Sequence, residues 1–296
     1  MNTRALLSLV LCILCACGSA PSTNDGGEND SGQPMDAGNT DAGTDAGVDA
    51  GLNISVEVEP NDGSSATALN AIVLPAEVTG VCNPQSDLDI FTANMGAGEF
   101  WQWKLDAAGS SYAPHIAIHD VLNKQASYSS RGATSQSTTL EFYAPVAGGY
   151  AAFVRDSRNV PTSSSQNVGG PAFTYKLTVT RSNRTATPIT LPTSSPVLGT
   201  LSSRYGIGVY TFTLASPTAL TLWVKAKTKS APSDIDTFAS LYRIGTGTIY
   251  KADDFSASNT DSQFHGTYAA DTYVLVVNNV NEAANDLTYE VSATSP

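Results

Sequence analysis

Six oxygen-bearing side chains lie close together in the chain, with Glu57, Glu59, Asn61 and Asp62 in one run and Asp87 and Asp89 in another. Alternate residues of an extended chain share a side, so Glu57, Glu59 and Asn61 fall together at about 6.7 Å spacing. Carboxylates and amide oxygens are the donors of a hard cation such as calcium, which takes roughly six to eight oxygens. Five carboxylates gathered without a cation repel one another. From spacing alone the same residues also fit a solvated acidic edge. His115 and His119 sit in an alternating His-Ile-Ala-Ile-His run, which reads as a strand and starts the two rings roughly 13 Å apart, too far to share one zinc ion. His265 stands alone in a turn-rich stretch.

The chain has no Gly-x-Ser-x-Gly, no His-Glu-x-x-His and no phosphate-cradling glycine loop, so no catalytic centre is expected. A polysaccharide hydrolase working through paired carboxylates is the enzymatic alternative, because Asp and Glu are plentiful and their separation cannot be read from a sequence. Trp223, Lys225, Lys227 and Lys229 share one face of a strand by period two. That face is a candidate ligand face for an anionic polymer, or else the guard of an edge strand, where lysines discourage unwanted pairing. Cys82 is the only cysteine outside the first 17 residues, which excludes a disulfide within the folded part and suits a small buried hydrophobe.

From residue 53 onward the chain is rich in Val, Thr, Tyr, Phe and Ser and broken at short intervals by Gly, Pro, Asn and Asp. Such a pattern predicts many short strands in a sandwich or barrel. Trp101, Trp103 and Leu105 alternate on one face, as do Tyr175, Leu177 and Val179, and Leu222 and Val224. The stretch Ser65 to Asn70 is compatible with a short helix. Residues 80–105 can be laid on 199–224 without a gap, matching Gly80 to Gly199, Phe91 to Tyr210, Trp101 to Leu220 and Trp103 to Leu222. The match resumes at Tyr150 with Tyr273 and at Tyr175 with Tyr289. Two copies of one all-β domain are expected, at 53–183 and 188–296. In the second copy Gly206 and Gly208 stand where the first has Asp87 and Asp89, so a cation site is expected in the first copy only.

The run Glu57-Val58-Glu59-Pro60-Asn61-Asp62, then Gly80, then Asp87-Leu88-Asp89-Ile90-Phe91, and later Ala144-Pro145-Val146-Ala147-Gly148-Gly149-Tyr150 resembles the bacterial pre-peptidase C-terminal domain. That family includes modules similar to the collagen-binding domains of clostridial collagenases. The resemblance implies a jelly-roll-like β-sandwich and a non-catalytic role in binding, solubility or secretion beside a peptidase. It also implies that Glu57, Glu59, Asn61, Asp62, Asp87 and Asp89 ligate one calcium ion. It covers nearly all of the first copy, while the second copy is degenerate.

Ahead of these domains, Arg4 and the apolar run Ala5 to Ile13 read as a signal peptide over residues 1–16. Leu14-Cys15-Ala16-Cys17 resembles the lipobox of bacterial lipoproteins, which implies acylation of Cys17 and membrane attachment through its lipid. Gly18 is not the Asp that resembles an inner-membrane retention signal, so the expected destination is the outer membrane, on its surface or periplasmic face. Residues 17–52 carry seven acids after Gly18, no Lys or Arg, and Asp-Ala-Gly units at Asp36, Asp41, Asp45 and Asp49, the composition of a self-repelling disordered tether. The net charge of −12 argues against nucleic acid as a partner. The expected function is a non-catalytic envelope lipoprotein binding an extracellular or periplasmic polymer or protein. An envelope scaffold for other proteins is the structural alternative.

Overall fold

The computed structural model describes residues 51–62, 69–107, 109–119, 125–130, 136–160, 166–201, 205–227, 237–252, 254–256, 259–279 and 287–295. The signal peptide, Cys17 and the tether up to Ala50 fall outside them, as do Lys229 and most of the stretch expected to be helical. Asn70, at the end of that stretch, is in a strand. Among the described residues no helix is long and apolar enough to cross a membrane.

Among the described residues, period-two burial produces a chain of strands with a single 3-10 turn at Ser157–Asn159. The first half comprises β1 (Asn53–Val56), β2 (Asn70–Ala71), β3 (Ala76–Val81), β4 (Asp89–Met95), β5 (Glu99–Asp106), β6 (Pro114–His119), β7 (Gln125–Ser130), β8 (Ser137–Ala144), β9 (Gly148–Asp156) and β10 (Thr174–Ser182). One sheet runs in the order β1-β3-β10-β5-β8 and the other β2-β4-β9-β6-β7. Their inner faces meet in one core, with Val78, Trp103 and Leu177 from one sheet against Phe91, Ile116 and Ala152 from the other. Trp101 and Trp103 are core residues, as their alternation with Leu105 requires.

The second half comprises β11 (Thr187–Pro188), β12 (Val197–Leu201), β13 (Gly208–Leu214), β14 (Thr218–Ala226), β15 (Thr237–Arg243), β16 (Thr248–Ala252), β17 (Asp254–Ser256), β18 (Asn259–Tyr268), β19 (Asp271–Asn279) and β20 (Leu287–Thr294). Its sheets run β11-β13-β19-β15-β16 and β12-β20-β14-β18-β17, around a core that includes Tyr210, Leu222, Leu241 and Leu275. Strand for strand this is the order of the first half, apart from β1 and, at the opposite edge, β17, neither of which has a counterpart among the described residues of the other half. Registers agree too: Gly80 faces Tyr175 as Gly199 faces Tyr289, and Trp103 faces Val179 as Leu222 faces Ala293. In each half a tyrosine hydroxyl donates to the carbonyl four residues earlier, Tyr150 to Val146 and Tyr273 to Ala269.

Of these two, β1 lies parallel to β3 along one edge of its sheet. In the second sandwich the corresponding edge strand, β12, has no such cover, because only residues 183–186 separate β10 from β11. Pro196 precedes β12 at the position that Glu77 holds on β3. Proline offers no N–H to a further strand, which blunts the edge that β1 covers in the first copy.

A third apolar cluster joins the halves. Phe100 and Tyr143, on the outer face of the first sandwich, pack with Ile207, Val209, Tyr242, Val274 and Val276 of the second.

Truncation of Trp103, which is fully buried, to alanine is expected to cost about 3–5 kcal/mol of stability, the usual range for emptying a large aromatic site. Urea denaturation followed by far-UV circular dichroism measures it, and a loss under about 1 kcal/mol would show that the side chain is not in a close-packed core.

Candidate metal centre

Three of the six acid and amide positions converge. Ligand atoms of Glu57, Glu59 and Asp89 all lie within 4.8 Å of one another. Alternation explains how the N-terminal segment delivers its pair: Ile54, Val56 and Val58 point to solvent, so Glu57 and Glu59 turn the other way. Asp89 opens β4 in the opposite sheet and is fully buried. The cluster therefore sits where the N-terminal segment, the β3 end of one sheet and the β4 start of the other come together.

Each carboxylate is held. Glu57 accepts from the Tyr175 hydroxyl and from the Val81 N–H. Its approach depends on Gly80, where a Cβ would lie 2.4 Å from both Glu57 Oε2 and the Tyr175 ring. Glu59 Oε2 accepts from the Asn61 backbone at 3.1 Å. Asp87, beside the group and nearly buried, accepts from the backbone of Asn83 at 2.7 Å and of Leu88 at 3.0 Å. Asn61 is fully buried, and with its amide nitrogen turned to the acids it donates to Asp89 Oδ1 at 2.8 Å and to Glu59 Oε2 at 3.3 Å. In that orientation its oxygen accepts from Asn70 at 2.8 Å, and Asn61 braces the carboxylates. Asp62 is exposed and acts on the cluster through its charge, pushing Glu59 and Asp87 upward.

Burial and mutual repulsion make this group reluctant to ionise. Burial, then the neighbouring charges of Glu57 and Asp87, raise Asp89 to about 8. Glu57, Glu59 and Asp87 are each raised as well, burial being the largest cause in all three. Cys82 is buried with its thiol 3.5 Å from Asp89 Oδ2. Burial and that neighbouring acid push the thiol well up, which makes it an inert packing residue. Outward, Glu57 and Glu59 line a groove of about 870 Å³ together with Val56, Thr79, Thr174 and Lys176.

The second sandwich closes the same place. Gly208 occupies the position of Asp89, and a Cβ there would lie 1.7 Å from the Tyr289 hydroxyl. Tyr289 is the counterpart of Tyr175; lacking a glutamate partner, it pairs with the Tyr210 hydroxyl at 2.8 Å. The carboxylate cradle is replaced by a tyrosine pair.

Other candidate residues fall elsewhere. Strand β14, with Trp223 and Lys225, is the middle strand of its sheet, so Lys225 does not guard an edge. The Lys225 ammonium lies 4.8 Å from the Trp223 ring centroid, and the half-exposed Lys227 pairs with Glu290 at 2.8 Å. His115 and His119 lie on β6 as a strand pair, His115 pushed down to about 4 by burial and Arg155, and His119 against the Phe153 ring at 4.0 Å. His265 Nδ1 is 2.9 Å from the Thr221 hydroxyl. Sequence reasoning missed Tyr175 and Gly80 as site residues, although their recurrence as Tyr289 and Gly199 was the available signal.

Among solved structures, the pre-peptidase C-terminal domain of a collagenase from Bacillus anthracis matches the chain at 22% identity, over 38% of this chain and 100% of that one, with a TM-score of 0.31. Part of the chain is thus similar to a pre-peptidase C-terminal domain. A structure of the M60 catalytic domain with two CBM51 domains of ZmpB from Clostridium perfringens matches at 7% identity, over 69% of this chain and 33% of that one, with a TM-score of 0.24. No family model and no curated protein matches the sequence.

The raised Asp89 fixes a sign. Its folded value of about 8 lies above the ordinary value of 3.8, so the folded state holds an extra proton between the two. The associated stability is complete below about pH 4 and is lost as pH rises through about 8. In chelator, the melting temperature of the protein is therefore expected to fall between pH 5 and pH 9, and Asp89→Asn should flatten that fall. An unchanged slope in the variant would show that Asp89 is not the responsible group.

Proposed function

We propose that the chain is a non-catalytic binding protein of the bacterial envelope, whose first sandwich is stabilised by one calcium ion. The observation that carries this reading is the convergence of Glu57, Glu59 and Asp89 within 4.8 Å. The donors are oxygens of carboxylates, without histidine, which favours a hard cation over zinc or copper. Their raised values describe a cluster whose charged form needs a compensating cation, and an ion there relieves the repulsion that burial intensifies. Asp87 and Asp62 lie within electrostatic reach and add to the attraction. The motif resemblance of Glu57 to Asp62 and Asp87 to Phe91 points to the same ion.

The two sandwiches are read as copies of one module, of which only the first keeps the cation site. Acylation of Cys17 would fasten the chain to the membrane and residues 18–52 would give the domains reach, presenting them to an extracellular or envelope polymer or protein. The acidic balance makes nucleic acid an unsuitable partner.

A ligand that binds only the folded state stabilises it by mass action, roughly 2.7 kcal/mol at a hundredfold excess over the dissociation constant. Titration calorimetry should record one calcium per chain, abolished in Asp89→Asn and in Gly80→Ala, which crowds Glu57 and Tyr175. No binding heat up to several millimolar calcium would overturn the cation reading. Metabolic labelling with fatty acid tests the anchor separately: label is expected on the native chain and not on Cys17→Ala, and label that persists in the variant would refute lipidation at that residue. A screen of the two-sandwich fragment against collagen, peptidoglycan and acidic polysaccharides tests binding, and failure to retain any of them would remove the polymer reading.

A further inference from the structure

Strand β19 is apolar on both faces. Tyr273, Leu275 and Val277 enter the core of the second sandwich, while Val274 and Val276, on the other face, are 3% and 7% exposed. Val209 stands opposite Val276, and Tyr242 opposite Val274. An outer face of this kind is normally polar in an antiparallel sandwich. Here it is covered by Phe100 and Tyr143, which point away from their own core on β5 and β8. Polar contacts surround this cluster. Arg184, in the short connection, donates to Glu141 of the first sandwich and to the Ile207 carbonyl of the second at 2.8 Å, and its guanidinium lies 5.0 Å from the Phe100 ring centroid. The Ile207 N–H donates to Glu141 Oε2 at 3.2 Å. Backbone contact follows, the Glu141 N–H donating to the Tyr205 carbonyl at 3.3 Å.

Domains joined by a polar, hydrated contact move and melt independently; a dry apolar contact makes them one cooperative unit. We infer that the third core couples the two sandwiches into a single unfolding unit, so that an event stabilising the first also stabilises the second. Unfolding the first sandwich alone would expose Ile207, Val209, Val274 and Val276 to water and leave Glu141 and Arg184 without each other. The second sandwich, which has the Tyr210–Tyr289 pair where the first has its carboxylates, thereby draws on the cradle of the first. That last consequence rests on the calcium reading; the coupling itself does not.

Hydrogen exchange of the full chain, read by mass spectrometry in urea, tests both. Peptides covering β5 and β10 report on the first sandwich and peptides covering β14 and β19 on the second. Leu177→Ala, in the core of the first, is expected to shift the midpoints of both sets downward together. A shift confined to the first set would overturn the coupling; should the variant fail to fold, Val179→Ala leaves a smaller cavity and poses the same question. Val274→Thr with Val276→Thr keeps the strand but makes the third core polar, and should split the single transition in two. A transition that stays single in that variant would show that this core does not carry the coupling. Chelation separates the readings: loss of protection in both sets supports both, loss in the first set alone overturns the coupling, and no loss in either overturns the calcium reading while leaving the coupling to the Leu177→Ala result.

Discussion

Carboxylates gathered side by side repel one another unless a cation answers them, and the first sandwich brings the half-buried Glu57 and the exposed Glu59 against the fully buried Asp89. Glu57 and Glu59 come from the N-terminal segment, Asp89 from the start of β4, and the Tyr175 hydroxyl that holds Glu57 from β10. The cluster thus ties the entering chain to both sheets at one end of the sandwich. Its supports are small and specific: a glycine at position 80 that leaves room for the glutamate, backbone N–H groups of Val81, Asn83 and Leu88, and a buried asparagine bracing two of the acids.

The second sandwich is an internal comparison, because the register, the tyrosine-to-carbonyl bond and, apart from β1 and β17, the strand order recur while the acids do not. Gly208 in place of Asp89 leaves space that the Tyr289 hydroxyl fills, and Tyr210 in place of Phe91 supplies a hydroxyl to meet it. One tyrosine position thus has two uses. Beside a glutamate it steadies a charged cradle; beside another tyrosine it closes a neutral one. A neutral pair satisfies its own hydrogen-bonding groups and needs no ion.

Period two in Trp101 to Leu105 and Tyr175 to Val179 was enough to place strands and core, because each of those strands buries one face. The ungapped match of residues 80–105 with 199–224 carried the strand order of one half onto the other. The continuous apolar run in β19 had no such clarity: a strand buried on both faces reads the same whether a second layer or a second domain covers it. For the same reason Trp223 and Lys225 gave no sign that β14 is central, since strand neighbours are set by pairing partners distant in the chain. The acids themselves were legible by type and spacing. Which of them meet was not, because Asp89 approaches from the opposite sheet and Asn61 turns inward to brace the others.

In the proposed site Glu57, Glu59 and Asp89 hold one calcium-like cation, with the Tyr175 hydroxyl bonded to one of these ligands. Terbium, an oxygen-seeking stand-in for calcium, emits when an excited aromatic side chain lies within a few ångströms, and Tyr175 is already in contact with Glu57. Titrating terbium into the full chain should give sensitised emission that saturates at one ion, is displaced by calcium, and disappears in Glu57→Gln and in Asp89→Asn. Emission that persists unchanged in both variants, or that calcium does not displace, would show that these carboxylates hold no such ion.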